Sequence, residues 1–119
     1  MIHKVMDELT RYVFFNYMYL LTVHEAAAYK SILGQQKVQS SDSPKMQNLI
    51  RSSWISSDPE VRALLEKGED HFMNSVRDRI LREHREQVFL NHCPKCRALA
   101  KTPRARQCPK CFYSWHDEN

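Results

Sequence analysis

All four cysteines of the chain lie in two copies of one tetrapeptide, Cys-Pro-Lys-Cys, at residues 93–96 and 108–111. Each Cys-x-x-Cys turn presents two thiolates, and a hairpin brings two such turns together around a tetrahedral metal ion. The proline fixes φ without removing a useful donor, because the N–H groups that reach the sulfur come later in the turn. The spacing predicts one metal site with four ligands: Cys93, Cys96, Cys108 and Cys111.

The segment from Cys93 to about His116 resembles the four-cysteine zinc ribbon superfamily, in which two such pairs form two knuckles. The resemblance implies one structural Zn²⁺ per chain, held on a small β-hairpin. Four thiolates fill the tetrahedron, so no coordination position is left for water or substrate. Zinc ribbons usually carry glycine after each second cysteine, where the chain makes a left-handed turn, and this sequence has Arg97 and Phe112 there instead.

Three alternatives to zinc on four thiolates are open. Iron binds to similar pairs in rubredoxin-like proteins, but these resemble acidic electron carriers, and the basic character of this segment favours zinc. Disulfide pairing requires an oxidising compartment. His92 or His116 could replace a cysteine as ligand, although four thiolates already complete the coordination.

Positive charge is concentrated around the cysteines. Residues 1–92 contain twelve basic and twelve acidic side chains, whereas residues 93–111 contain six basic side chains and no acidic one. We expect Lys95 and Lys110, inside the knuckles, to offset the charge of the thiolates. The other four cations are candidate nucleic-acid contacts: Arg97, Lys101, Arg104 and Arg106. Four phosphate contacts support only weak nucleic-acid binding at physiological ionic strength.

Apolar residues recur at helical spacing in three stretches before the cysteines. The first predicted helix runs from Ile2 to Leu33 and stops at Gly34. A polar linker at residues 35–43 follows, and a short helix then begins at Pro44, where proline suits the first helical position. The third helix is predicted from Pro59 to about Asn91.

These elements predict a mainly α protein. It would be a helical bundle or hairpin of two long helices and one short helix, followed by a small C-terminal zinc ribbon β-hairpin. The predicted domains are residues 1–91, α-helical, and residues 92–119, the zinc ribbon. We expect the aromatic residues Phe112, Tyr113 and Trp115 to pack in the small core of the ribbon.

Between Tyr12 and Leu21, apolar side chains surround the first predicted helix instead of following one face. One neighbouring helix cannot cover them, so they must contact either later helices of the chain or a second protein molecule. The candidate protein interface consists of four aromatic residues: Tyr12, Phe14, Phe15 and Tyr19. We therefore expect another protein, or a second copy of the chain in a homo-oligomer, as partner.

The same apolar run is too short to span a membrane, which takes about 20 residues. Asp7 and Glu8 oppose the net positive charge that begins a signal peptide. These features predict a reduced, cytoplasmic protein without a membrane partner.

Little in the sequence supports catalysis. Its two glycines are too few for a phosphate-binding loop. Arg79 and His84 form an Arg-x(4)-His spacing that resembles the motif of HEPN ribonucleases, but no other catalytic signature is present, and no catalytic residue is assigned. We expect a non-enzymatic, protein-binding adaptor, regulator or toxin-neutralising type of protein. Nucleic-acid binding by the basic ribbon is the first alternative, and a HEPN-like ribonuclease is the second.

Overall fold

The computed structural model describes residues 7–116, in which five α-helices precede the cysteines. The helices are α1 (Glu8–Asn16), α2 (Val23–Ser40), α3 (Pro44–Trp54), α4 (Pro59–Leu64) and α5 (Glu69–Glu83), and a short 3-10 helix occupies Met18–Leu20. The prediction of a mainly helical protein is confirmed. None of these described helices has both the length and the apolarity needed to cross a membrane.

Two compact units make up the chain. The helical unit is Leu21–Val76, and the cysteine unit combines the chain up to Leu20 with the chain from Arg77 onward. The basic charge and the cysteine spacing begin just after residue 92, and they predict a boundary between residues 91 and 92 instead. In the structure, α1 belongs to the same unit as the cysteines, an association that no local sequence pattern encodes.

The single helix predicted from Ile2 to Leu33 is wrong, because α1 and α2 are separate helices. Residues 2–6 of that prediction lie outside the described residues. Thr22 and Glu25 form a capping box at the start of α2: the Thr22 Oγ1 accepts the Glu25 N–H at 3.1 Å, and the Glu25 carboxylate accepts the Thr22 N–H at 2.9 Å. A capping box satisfies N–H groups that are unpaired at a helix start, so it fixes a new helix inside an apolar run.

α2 packs against both α3 and α4 within the helical unit. The apolar side chains of Ala28, Ile32, Ile50 and Val61 are buried in this unit. Burial of each large aliphatic side chain contributes about 1.5 to 3 kcal/mol, so packing rather than helix propensity stabilises these short helices.

α2 continues through Gly34 to Ser40, so the predicted stop at Gly34 and the predicted linker over residues 35–40 are both wrong. Gly34 is a point of close packing instead. A Cβ atom at this position would lie 2.7 Å from the Cβ of Trp54 and 3.1 Å from the Cγ1 of Ile55. The end of α3 can approach α2 this closely only because residue 34 has no side chain.

Proline begins α3 and α4, as the sequence predicts. Ser43 and Asp58 cap the two helices, each accepting a backbone N–H, at 3.3 and 2.9 Å. The long third helix predicted from Pro59 is wrong: a turn separates α4 from α5, and α5 ends well before Asn91. Gly68 lies in that turn with a φ of 99°, a backbone conformation that residues with a Cβ atom rarely adopt.

α1 contributes the main buried aromatic side chains of the cysteine unit, Tyr12 and Phe14. Asp7 caps this helix by accepting the Thr10 N–H at 2.7 Å, and it pairs with Arg77 at 3.1 Å. The Thr10 N–H and the Arg77 guanidinium together hold the pKa of the Asp7 carboxyl below its usual value.

The β-hairpin predicted for the C-terminal segment is not found in its described part. The segment contains two isolated antiparallel bridges, His92 with Leu99 and Gln107 with Ser114. Each bridge spans one cysteine pair, so each pair closes its own tight loop and no regular ladder forms between the two loops.

We predict that Gly34→Ala destabilises the protein, although alanine favours a helix interior over glycine by about 1 kcal/mol. The new methyl group would overlap the Cβ of Trp54, which cannot rotate away, and such overpacking costs about 1 to 3 kcal/mol. Urea unfolding followed by circular dichroism measures the change. Gln39→Ala, at an exposed position of α2, is the control and should change stability by less than about 0.5 kcal/mol. A Gly34→Ala protein as stable as the parent would contradict the close contact.

Candidate metal centre

The four predicted ligands lie together. The Sγ atoms of Cys93, Cys96, Cys108 and Cys111 are all within 4.8 Å of one another. The Cys93 and Cys111 sulfurs are 3.7 Å apart, and the Cys96 and Cys108 sulfurs are 3.4 Å apart. Zinc–sulfur bonds of about 2.3 Å in a tetrahedron place the sulfurs about 3.8 Å apart, so the cluster fits a four-coordinate metal ion.

The first knuckle is built around the buried Cys93. The backbone N–H groups of Lys95 and Cys96 donate to the Cys93 sulfur at 3.3 and 3.4 Å. The Cys93 N–H donates to the Ala98 carbonyl at 2.8 Å and closes the loop. Arg97 has a φ of 68° and makes the left-handed turn that glycine usually makes in zinc ribbons.

The second knuckle repeats this arrangement around the buried Cys108. The N–H groups of Lys110 and Cys111 donate to the Cys108 sulfur at 3.3 and 3.4 Å, and the Cys108 N–H donates to the Tyr113 carbonyl at 2.9 Å. Phe112 makes the left-handed turn with a φ of 63°. Both knuckles therefore keep the backbone geometry that supports thiolates, without the usual glycines.

These hydrogen bonds favour the thiolate form that a metal ion needs. Burial raises the pKa of the Cys108 thiol, but the N–H groups of Cys111 and Lys110, together with the Cys96 and Cys111 sulfurs, lower it to about 6. The Ala98 N–H lowers the pKa of the Cys96 thiol, but the neighbouring Cys108 sulfur and the other sulfurs raise it to about 11. Negative charge is thus concentrated on the Cys108 sulfur, which belongs to the buried first cysteine of the second knuckle.

Lys95 and Lys110 donate their backbone N–H groups to the buried sulfurs. The Lys110 ammonium pairs with the Glu8 carboxylate of α1 at 2.7 Å, and Glu8 raises the pKa of the Lys110 side chain, to which the charges of Cys108 and Cys96 also contribute. The Lys95 ammonium lies 5.8 Å from the centre of the Tyr113 ring. Because the backbone already supports the sulfurs, these side chains can bind elsewhere.

A small buried cluster lies beside the sulfurs and includes Ala100 and Trp115. Tyr113 packs against it and stacks on Trp115, with 6.4 Å between the ring centres, as the sequence predicts. The prediction that Phe112 packs there is wrong, because its side chain is 70 % exposed. The left-handed backbone at Phe112 directs this residue away from the cluster that its neighbours form.

The other predicted contacts of the segment lie on the surface. The four cations Arg97, Lys101, Arg104 and Arg106 are all exposed. His92 contacts the Arg97 carbonyl oxygen through Nδ1 at 3.1 Å, and His116 is exposed. Among residues 7–116, only the four cysteines form a metal-competent group.

The predicted protein interface divides into buried and exposed residues. Tyr12 and Phe14 are in the interior, whereas Phe15 is 64 % and Tyr19 is 71 % exposed. The burial of Tyr12 and Phe14 leaves Phe15 and Tyr19 as the accessible part of the predicted interface.

Arg79, the arginine of the Arg-x(4)-His spacing, forms hydrogen bonds within the fold. Its guanidinium donates to Glu83 and to the Leu20 carbonyl oxygen, both at 3.0 Å. His84 is half-buried just after α5 ends. An arginine that binds phosphate needs a free guanidinium edge, so these contacts favour a structural role for Arg79.

Sequence reasoning missed the support that α1 gives to the knuckles. The Asn16 side-chain amide donates to the Lys101 carbonyl at 2.9 Å, and the Tyr12 hydroxyl accepts the Asn91 N–H at 3.3 Å and donates to the Phe89 carbonyl. These pairs are more than seventy residues apart in sequence, and polar residues such as Asn16 carry no local signal of so distant a partner.

The resemblance to zinc ribbons rests on the four cysteines and on the geometry of the two knuckles. Comparison of the chain with models of protein families, with curated protein sequences and with solved structures finds no match.

We predict that Phe112→Gly stabilises the metal-bound protein. A residue with a Cβ atom is less stable in the left-handed conformation by about 1 to 2 kcal/mol, and the exposed ring contributes little packing that would be lost. Phe112→Ala is the matched control, because it removes the ring but keeps the penalty. Thermal unfolding with metal bound should place the glycine variant above the alanine variant, and the reverse order would contradict the strained geometry.

Proposed function

We propose that the chain is a non-enzymatic protein-binding protein, of the adaptor, regulator or toxin-neutralising type, whose four cysteines hold one structural zinc ion. The observation that carries the metal part is the closed set of four sulfurs within 4.8 Å of one another. With four protein ligands, a tetrahedral ion has no open position for water or substrate. Such an ion stabilises the fold and does not take part in a reaction.

Zinc suits this site better than the alternatives. Thiolate ligands in a tetrahedral arrangement select zinc or iron, and the six basic side chains of residues 93–111 are unlike the acidic surroundings of iron-based electron carriers. Zinc has no redox chemistry, which agrees with a purely structural role. In small zinc domains, metal binding supplies about 10 to 16 kcal/mol, which replaces a large apolar core.

Zinc would also support α1. The Asn16 amide donates a hydrogen bond to the Lys101 carbonyl, and the Glu8 carboxylate forms an ion pair with the Lys110 ammonium. Both ends of α1 are therefore attached to residues 92–116, the knuckle segment. These contacts require the knuckles to be folded. We therefore infer that loss of the metal releases α1 as well as the cysteine loops.

The proposal of protein binding rests on exposed apolar residues at the end of α1 and in the following 3-10 helix. Phe15, Met18 and Tyr19 are 64 %, 46 % and 71 % exposed, although Tyr12 and Phe14 of the same segment are buried. Aromatic residues and methionine are enriched at protein interfaces, where they contribute large contact areas. A protein partner would cover these side chains.

The exposed ring of Phe112 favours a second candidate function. It lies in the basic segment, and an exposed aromatic ring beside cations is suited to stack on a base of single-stranded nucleic acid. Only Arg97, Lys101, Arg104 and Arg106 are candidate phosphate contacts. This small number favours weak, salt-sensitive binding, so nucleic acid ranks second.

The first test concerns the metal. Protein purified without added metal should contain one zinc ion per chain by elemental analysis. A strong chelator or acid should remove it, because zinc binding requires deprotonated thiols. Hydrogen exchange measured by mass spectrometry should then show loss of protection in α1 and the knuckles, while α2, α3 and α4 keep theirs.

Cys108→Ser serves as a second form without metal, and it should show the same exchange pattern without chelator. Ser52→Ala, at an exposed position of α3, is the control and should keep both zinc and protection. Iron at one equivalent per chain, or protection of α1 that survives the loss of metal, would contradict this part of the proposal.

The second test concerns the protein partner. A photoreactive amino acid in place of Tyr19 or Phe15 should give specific cross-links to a protein in cells, or to a second copy of the chain. The same photoreactive amino acid at Leu49, which is 54 % exposed on α3, provides the background level. Light scattering over a range of concentrations identifies self-association. Cross-linking at Tyr19 that does not exceed the level at Leu49 would contradict a protein-binding role for this surface.

A further inference from the structure

A cleft of about 560 Å³ lies within the cysteine unit, between α1 and the knuckle segment. Arg11 and Phe15 line the side formed by α1, and Leu99, Lys101 and Pro109 line the opposite side. The volume is in the range of ligand-binding pockets, and none of the residues that line the cleft is a metal ligand. The cleft is therefore a separate feature of the same unit.

The charges around the cleft favour an anionic ligand. Glu8 is the one acidic residue that lines it, and its carboxylate is already paired with Lys110. Arg11 and Lys101 are exposed, and within residues 7–116 neither side chain makes a hydrogen bond or an ion pair. The cleft thus carries two cations available to an external carboxylate.

The charge of a metal site must be included in this balance. A divalent ion and its four thiolate ligands together have a net charge of about −2, which opposes the binding of an anionic ligand nearby. Four backbone N–H groups donate to the two buried sulfurs, those of Cys93 and Cys108, and so stabilise that charge within the knuckles. None of the four cysteines lines the cleft, whereas the exposed side chains of Arg11 and Lys101 do, so these two cations are the charges nearest to a bound ligand.

The apolar surface of the cleft is of the kind that binds a protein segment. The ring of Phe15 is 64 % exposed, which is too open to enclose a small molecule. Leu99 and Pro109 add apolar side chains to the opposite side of the cleft. An apolar centre with charged residues at the edge is the usual composition of a protein interface.

We propose that this cleft binds an acidic peptide segment of a partner protein. One aromatic or large aliphatic side chain of the peptide contacts Phe15, and its carboxylates pair with Arg11 and Lys101. The inference rests on the proposed protein-binding function and names the chemistry of the partner. Arginine and carboxylate can form two parallel hydrogen bonds, which gives such a contact direction as well as charge.

The test begins with a phage library of random short peptides, selected on the full-length, zinc-loaded chain. The recovered peptides should be rich in Asp and Glu and should contain an aromatic or large aliphatic residue. One recovered peptide, synthesised with a fluorescent label, is then measured by anisotropy at physiological salt. The double variant Arg11→Gln with Lys101→Gln should bind it about ten-fold more weakly, and Phe15→Ala several-fold more weakly.

Matched controls make the same changes elsewhere. Lys45→Gln with Lys67→Gln removes two positive charges from exposed positions of the helical unit, and Phe112→Ala removes an equally exposed aromatic ring. Both controls should bind the peptide like the parent chain. Zinc content and helical circular dichroism, measured for every variant, ensure that a loss of affinity is not a loss of folding.

Recovery of peptides without acidic enrichment, or equal affinity in the cleft variants and the controls, would overturn the inference. A labelled single-stranded oligonucleotide that binds more tightly than the peptide and depends on Arg11 and Lys101 would also overturn it, in favour of nucleic acid. A protein cross-linked at Tyr19 together with a failed peptide selection would reject this inference and leave the proposed function standing.

Discussion

The convergence of four thiolates on one point is the constraint on which the cysteine unit depends. The buried cluster beside the sulfurs is small, and the described part of residues 92–116 contains no regular strand, so a metal ion held by the four sulfurs would supply most of the stability of the knuckles. α1 then attaches to the knuckle segment through a bond between Asn16 and Lys101, residues that are 85 positions apart in sequence. A metal ion bound at this local site would therefore organise a contact between two segments that are far apart in sequence.

The same constraint explains the left-handed residues in the knuckles. Arg97 and Phe112 adopt φ values of 68° and 63°, which disfavour any residue with a Cβ atom by about 1 to 2 kcal/mol. The hydrogen bonds to each buried sulfur hold both loops in this shape, and the energy that small zinc domains gain from their metal would exceed the penalty by a wide margin. The ring of Phe112 is exposed at this position, so it contributes little packing energy to offset the penalty.

The metal site was the part of the structure most open to prediction from sequence, because each cysteine pair is local and its spacing is set by the geometry of one ion. The sequence signal of a helix that starts with proline is also local, and it predicts the starts of α3 at Pro44 and α4 at Pro59 correctly. The errors occurred where distant residues decide the outcome. A glycine at residue 34 predicts a helix stop, but Gly34 is required for close contact with Trp54 of α3, and the residues around Gly34 in sequence do not indicate that contact. The attachment of α1 to the knuckles depends on polar contacts that hydrophobic periodicity does not report.

The two knuckles share one backbone design but differ in what surrounds them. Ala100 and Trp115 occupy equivalent positions: each donates its N–H to a carbonyl before its own cysteine pair, at 2.7 and 2.8 Å, and both are buried in the same cluster. A small residue from one knuckle and a large one from the other fill a shared core without overlap, which two identical knuckles could not do. Leu99 and Lys101 of the first knuckle, on either side of Ala100, line the cleft beside α1. The second knuckle thus supplies the large side chain of the cluster beside the sulfurs, and the first knuckle supplies part of the lining of the cleft.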